Sequence, residues 1–387
     1  MRKIFFPILT GIILFASCKK ESVNSNTPNE EGCAEQKAAR DGEIIQGQYI
    51  IAFNPSQNTG SGSERIVSDL SHSILERNNI GDIALQKSFS GVPGGFVAKL
   101  TPQEAALLQN DAAVSVVEPD RIIALSTCFE VIEPRTITWN VNRVGYGNGI
   151  GKTAWIIDSG IDLDHPDLNV DNTRSRSFIN NQTSADDANG HGTHVAGIIG
   201  AKNNSFGMLG VASGANLVSL RVLDAEGIGS LSAMIQALGY VNTYGKAGDV
   251  INMSLGEEGV SEILDDQVYN IASKGIFIAI AAGNDHVPAV QFSPARVNGP
   301  NIFTVSAIDS LDRFASFSNY GNDVVDFAAP GVRIPSTYSN GRYAILSGTS
   351  MAAPHVAGLL LLNGRNIHTS GTAINDPDNV PDAIAHQ

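Results

Sequence analysis

One stretch, Gly348-Thr349-Ser350-Met351-Ala352-Ala353-Pro354, limits what this chain can fold into more than any other. It puts a single hydroxyl where a strand-like segment turns into a helix, and Gly348 lets the backbone turn sharply. Thr349, Ala352 and Ala353 leave room above the serine. Pro354 is expected in the first helical turn, where a helix loses no hydrogen bond by having it. Ser350 then stands at a helix N-terminus, where free N–H groups and the positive end of the dipole face any oxyanion forming beside the hydroxyl. That geometry suits acyl transfer, but a serine hydroxyl is a poor nucleophile until a base takes its proton.

The rest of the chain should therefore supply an imidazole and a group to orient it. Asp158 ends the run Thr153-Ala154-Trp155-Ile156-Ile157 and precedes Ser159-Gly160-Ile161-Asp162. A carboxylate at the carboxyl end of a buried strand can hold an imidazole and stabilise its charged form; an Asp that only caps its own turn is the alternative. His191-Gly192-Thr193-His194-Val195-Ala196-Gly197 opens a helix after a polar loop. Two histidines three apart could ligate a metal from one helix face. No glutamate lies between them and no further His/Cys cluster accompanies them, so His191 is the better base and His194 is expected to pack. Ala281-Ala282-Gly283-Asn284 ends another strand with an amide, which either caps the next turn or donates to the oxyanion of a tetrahedral intermediate.

The chain has 387 residues, 42% of them hydrophobic and 17% charged, enough for one large domain and a smaller one. Its 39 glycines favour many tight strand-to-helix turns over a helical bundle. With 25 basic and 39 acidic residues the formal charge is −14, and no Lys/Arg block follows the N-terminus, which argues against nucleic acid as a partner. Residues 1–18 read as an export signal: Met1-Arg2-Lys3, then an apolar core from Ile4 to Leu14 too short to span a bilayer permanently. Phe15-Ala16-Ser17-Cys18 resembles a bacterial lipobox, with Phe15 where Leu is usual. Cleavage there would leave a lipidated Cys18 as membrane anchor; a plain secretory signal is the alternative.

Residues 19–42 are a polar tether with almost no aliphatics. In 43–125, strands at Gln48–Phe53, Gly95–Leu100 and Val114–Asp120 alternate with helices at Ser63–Arg77 and from Thr101-Pro102-Gln103-Glu104, a capping-box pattern. A β-α-β-β-α-β order over this length suggests a small ferredoxin-like α+β domain. A connector, 126–138, leads to the large domain, 139–364. There, short apolar runs ending in Asp158, Val222, Met253, Ala281 and Ala307 alternate with helices beginning near His191, Leu231, Ser261 and Ser350. This is the pattern of a doubly wound, three-layer α/β sandwich with a mostly parallel sheet, whose site lies at the carboxyl ends of the strands. Residues 365–387 read as a polar tail.

Taken together, the four stretches resemble the subtilisin-like serine proteases. Asp-Ser-Gly, His-Gly-Thr-His-Val-Ala-Gly, Ala-Ala-Gly-Asn and Gly-Thr-Ser-Met-Ala-Ala-Pro occur intact and in that order from about Trp139 to about Gly364. The resemblance implies a triad of Asp158, His191 and Ser350, and an oxyanion hole of Asn284 with the Ser350 N–H. It makes residues 43–125 an inhibitory propeptide cut near Leu125, so that the chain is a self-processing zymogen. Ser254-Leu255-Gly256 and Gly227-Ile228-Gly229 would be the two edges that hold peptide substrate as an added strand. The same resemblance makes Lys202 to Gly210 a calcium loop, with Asn204, the carbonyls of Lys202, Phe206 and Met208, and Asp167 as ligands; an uncharged surface loop is the alternative. No cofactor is expected for the chemistry. The protein is expected to be exported, to act as a monomer on protein or peptide substrates, and, if Cys18 is acylated, to sit at the bacterial outer membrane or cell surface. In an oxidising compartment Cys33 and Cys128 could pair and keep the catalytic domain on its anchor, or remain two separate thiols. A silent binding module would need a lost triad member, and an α/β-hydrolase esterase would need Gly-x-Ser-x-Gly with the histidine after the serine. The chain shows neither.

Overall fold

The computed structural model describes residues 42–54, 64–124, 128–131, 137–378 and 380–387. The export signal, Cys18, Cys33 and the bond after Leu125 lie outside the described residues.

The N-terminal unit runs β1 (Ile44–Phe53), α1 (Glu64–Arg77), β2 (Leu85–Phe89), β3 (Gly95–Lys99), α2 (Pro102–Gln109) and β4 (Val114–Ala124). Its strands pair antiparallel in the order β4-β1-β3-β2, the ferredoxin-like arrangement. At the start of α2 the Thr101 hydroxyl accepts from the Glu104 N–H (3.3 Å), and the Glu104 carboxylate accepts from the Thr101 N–H (2.7 Å), as the capping pattern requires. Side chains alternate across a strand. Ile51 and Phe53 of β1 therefore build a core with Val67, Ile74 and Leu108 of the two helices, while Ile50 and Ala52 face the other way and join the core of the large domain.

The large domain continues with β5 (Cys128–Val131), α3 (Trp139–Val144), β6 (Gly147–Asn148), β7 (Thr153–Asp158), β8 (Arg176–Ser177), α4 (His191–Gly200), β9 (Ala212–Ser213), β10 (Asn216–Arg221), β11 (Ile228–Ser230) and α5 (Leu231–Tyr244). It ends with β12 (Val250–Met253), β13 (Glu257–Glu258), α6 (Glu262–Ser273), β14 (Phe277–Ala281), β15 (Phe292–Ser293), β16 (Ile302–Ile308), β17 (Val325–Pro330), β18 (Ile334–Tyr338), β19 (Arg342–Ser347), α7 (Thr349–Asn363), β20 (His368–Thr372) and β21 (Ala383–His386). A nine-stranded sheet has the order β20-β21-β17-β16-β14-β12-β7-β10-β8. All its pairings are parallel except that of β20 with β21. Alternation on β7 divides the core into two layers. Trp155 and Ile157 pack with α5 and α6 on one face. Ala154 and Ile156 pack with α3, α4 and α7 on the other.

After β7 the chain crosses through α4 to β10; after β10 it crosses through α5, on the opposite face, to β12. The crossovers diverge at β7, so the cleft opens at that strand's carboxyl end, where Asp158 sits. Two readings from sequence need correction. Residues 365–387 are not a tail: β21 pairs with β17, Ile384 is fully buried, and the Gln387 N–H donates to the Val144 carbonyl at 2.8 Å. The stretch was hard to recognise because most of its side chains are polar and only Ala383-Ile384-Ala385 forms an apolar run at its end. The connector also contains a strand, β5, whose Cys128 pairs in the backbone with Ser347 of β19.

Candidate active site

Strand ends and helix starts converge on the cleft. Asp158, the last residue of β7, is fully buried, and its Oδ1 accepts from the adjacent Ser159 N–H at 2.7 Å. His191 is the first residue of α4, with Gly190 at φ 115° turning the chain into the helix. The ring reaches Asp158 at once, since Nδ1 lies 2.7 Å from Oδ1 with both side chains enclosed. This contact fixes Nδ1 as the donor and leaves Nε2 as the basic nitrogen. Nε2 is buried and makes no hydrogen bond among the described residues. Close approach of α4 to β7 needs Gly192, since a Cβ there would lie 2.1 Å from the Gly160 carbonyl oxygen. His194, one turn on, points away from this cleft. Its Nε2 is 2.9 Å from the Ile334 carbonyl, and burial together with nearby His191 lowers its pKa to about 3. It is a packed neutral imidazole, as expected.

Ser350 stands in the first turn of α7, behind Gly348 at φ 154°. Its hydroxyl donates to the Ser254 carbonyl at 3.0 Å rather than to His191. Pro354 is not in the first turn as expected: it lies inside α7. Its missing N–H would have bonded the carbonyl four residues earlier, which is that of Ser350. That freed carbonyl accepts from Ser254 Oγ at 2.7 Å, and Ser254 Oγ in turn accepts from Asn252 Nδ2 at 2.8 Å. The proline thus ties the serine's backbone to the strand edge beside it. Asn284 follows β14, and its Oδ1 accepts from the Thr349 N–H (2.8 Å) and hydroxyl (3.0 Å). Pinning the oxygen leaves Nδ2 as the donor end of the amide.

The two expected substrate edges face each other in the fold. Ser254, Leu255 and Gly256 follow β12, with Ser254 and Leu255 buried. Opposite, Gly227 at φ 75° turns the chain into β11, where Gly229 pairs with Ile123 of β4. A Cβ on Gly229 would lie 2.3 Å from the Val222 carbonyl oxygen, so only glycine keeps this edge flat. The end of the N-terminal unit therefore occupies the edge as an antiparallel strand, Ile122 to Ala124 against Ser230 to Ile228.

Sequence reasoning missed the layer behind the triad. Asp187 is buried and its carboxylate accepts from Ser159 Oγ (2.9 Å), the Gly190 N–H (2.8 Å) and the Thr193 N–H (2.9 Å). It clamps the loop after Asp158 to the start of the histidine helix. An acid one helical turn before His191 was the available signal. The acidic contacts at the domain interface were also unforeseen. Glu118 accepts from Ser261 Oγ (2.5 Å) and Asp120 from the Ser232 N–H (3.0 Å), each at the N-terminus of a helix of the large domain.

Of the residues expected to hold calcium, Asp167 and Asn204 are brought together, and their side-chain oxygens accept from protein N–H groups. Asp167 Oδ1 accepts from Asn204 Nδ2 (3.0 Å) and Oδ2 from the Met208 N–H (2.7 Å). Asn204 Oδ1 accepts from the Phe206 N–H (2.8 Å), and the Lys202 ammonium reaches the Pro166 carbonyl (3.0 Å). Calcium takes about six to eight oxygens. Asp167, the Asn204 amide and the carbonyls of Lys202, Phe206 and Met208 would supply oxygens alone, as a hard cation requires.

Comparison with known proteins agrees with this geometry. Residues 151–369 match the subtilase family and residues 48–126 match the peptidase inhibitor I9 family. An alkaline serine exoprotease A of Vibrio alginolyticus is 34% identical over 92% of this chain and 70% of its own length. An extracellular serine proteinase of a Thermus species is 33% identical over 92% of this chain and 88% of its own. A solved cold-adapted subtilisin-like serine proteinase superposes with a TM-score of 0.58 at 33% identity, covering 65% of this chain and 98% of that one. The chain belongs to the subtilase family and is a serine endopeptidase made as a zymogen.

Proposed function

We propose that Ser350 is the nucleophile, His191 the general base and acid, and Asp158 the group that orients the imidazole and stabilises its charge. The observation that carries this is the enclosed 2.7 Å contact between His191 Nδ1 and Asp158, which leaves Nε2 for the role of base. To react, the Ser350 hydroxyl rotates from the Ser254 carbonyl to His191 Nε2 and attacks the peptide carbonyl. Asn284 Nδ2 and the Ser350 N–H stabilise the oxyanion, a contribution of about 3 kcal/mol per donor. His191 then protonates the leaving amine, and water, activated by the same histidine, releases the acyl group. Every proton transfer uses side chains of this chain, so the chemistry asks for no cofactor. Structural calcium at the loop around Asp167 would be held by the Asp167 carboxylate, the Asn204 side-chain oxygen and the carbonyls of Lys202, Phe206 and Met208.

Substrate binds as a strand between Gly227–Gly229 and Ser254–Gly256, and residues 43–125 block that place by their own strand β4. The protein is exported. Its anchor is the lipid on Cys18, which places it at the outer membrane or cell surface until processing frees it or the propeptide retains it.

Ser350→Ala should abolish both casein hydrolysis and cleavage of the propeptide, leaving full-length protein on a gel. Asn284→Ala should fold normally and lose about a hundred- to a thousandfold in kcat; an unchanged kcat would remove it from the oxyanion hole. Cys18→Ala should shift the uncleaved zymogen from the membrane fraction to the medium and abolish palmitate labelling.

The contact with the propeptide also carries a pH dependence. Burial, with Asp265 and Glu262 adding to it and the Ser261 hydroxyl and Arg121 opposing, pushes Glu118 up to about 7. Burial pushes Asp120 up as well, against its hydrogen bonds to Ser232 and Gln48. A group whose pKa is raised in the complex binds its proton there more tightly, so association is strongest at acid pH. It weakens as pH climbs from the ordinary carboxylate range to about 7. Gel filtration of the self-processed complex should show the propeptide retained at acid pH and released above neutrality, affinity falling on the order of a hundredfold. Glu118→Gln should flatten most of that dependence.

A further inference from the structure

β4 does not stop at the propeptide's own sheet. It continues past Asp120 and adds to the cleft at Ile122–Ala124. Arg121, the residue just before that pairing begins, reaches across the cleft to the opposite wall. Its Nε lies 3.7 Å from Oε2 of Glu257, whose side chain is fully enclosed, and its Nη1 donates to the Gly42 carbonyl at 3.0 Å. Glu257 is the residue directly after the Ser254-Leu255-Gly256 edge, held in place by the pairing of β13 with β15 opposite Ser293.

The wall next to Glu257 lies against the guanidinium. Gly259, at φ 129°, presents no side chain, and a Cβ on it would come within 3.9 Å of the Arg121 Cζ. The first turn of α6, three residues further on, carries Glu262 and Asp265, with Arg296 drawn to Asp265 at 3.7 Å. Enclosing a carboxylate is costly, and a cation brought beside it offsets part of that cost. In the zymogen Arg121 is such a cation, and it leaves with the propeptide. A strand that takes the place of β4 can bring its own.

We propose that Glu257 is a specificity-determining residue of the cleft, selecting arginine or lysine at the substrate position two residues before the one that pairs with Gly229. The proposal deepens the endopeptidase reading and rests on it. Arg121 is the zymogen's own copy of the preferred side chain, so the propeptide is bound at this subsite as a substrate would be. An ion pair formed on binding and partly shielded from water favours the matched charge, and an acidic side chain there meets like charge.

The test uses the processed wild-type enzyme and three peptides with the sequence of residues 117–131, Cys128 replaced by serine, carrying arginine, alanine or glutamate at the position of Arg121. Cleavage positions are mapped by mass spectrometry. The expected kcat/KM for arginine exceeds that for alanine by about tenfold and that for glutamate by more, with the preference shrinking in about 1 M salt. Glu257→Gln is expected to bring the arginine-to-alanine ratio close to one, and Glu257→Lys to make the glutamate peptide the best of the three. Equal cleavage of the arginine and alanine peptides by wild-type enzyme, or a ratio that survives Glu257→Gln, overturns the proposal without touching the triad. Failure of wild-type enzyme to cleave any of the peptides and to react with a fluorophosphonate probe overturns the endopeptidase reading itself, and this subsite with it.

Discussion

A carboxylate held out of water at the end of a central parallel strand is the constraint on which the rest of this molecule depends. Asp158 is tolerable there because Oδ1 receives two short hydrogen bonds, from the Ser159 N–H and from His191. The first keeps the strand end from fraying; the second requires α4 to begin at that spot and in that direction. Asp187 meets the requirement from behind by bonding both the loop and the helix start. The serine and amide segments are arranged around the pair, and the layer of α3, α4 and α7 packs against the strand that carries it.

The nucleophile is positioned by a different device. Proline inside a helix is normally a defect, yet here the carbonyl it leaves free belongs to Ser350 and is taken up by Ser254. The helix start and the strand edge are therefore joined by two hydroxyls, that of Ser350 on the Ser254 carbonyl and that of Ser254, itself held by Asn252, on the Ser350 carbonyl. A displacement of the substrate edge is transmitted to the helix that carries the serine, and positional errors in the two are correlated instead of independent.

How much of this was legible in the sequence follows from where the information is local. The strand ends at Asp158 and Met253 and the helices from His191 and Leu231 were readable because apolar runs, glycines and caps specify them within a few residues. Asp187 was not, since its acceptor contacts are made across the fold to a loop and a helix start that spacing alone does not bring together. The strand at Ala383–His386 was missed because its apolar run is so short and its burial is decided by β17. Pro354 was placed one turn too early for a similar reason: its use lies in a partner, Ser254, that is distant in the chain. Nor does a motif display the N–H groups of Asn204 and Met208 from which the Asp167 carboxylate accepts.

β4 joins the two parts of the molecule in one five-stranded sheet: on one side it pairs with β1 of the propeptide, and on the other it adds to the cleft edge at β11. The folded propeptide can leave the cleft as a unit with its own pairing intact, whereas unfolding it takes away the strand that fills the cleft. Inhibitory strength is therefore capped by the conformational stability of the inhibitor: whatever loosens the core around Ile51, Phe53 and Leu108 also opens the cleft. A propeptide that melts below the large domain would act as a thermal fuse, arming the protease at its own melting temperature.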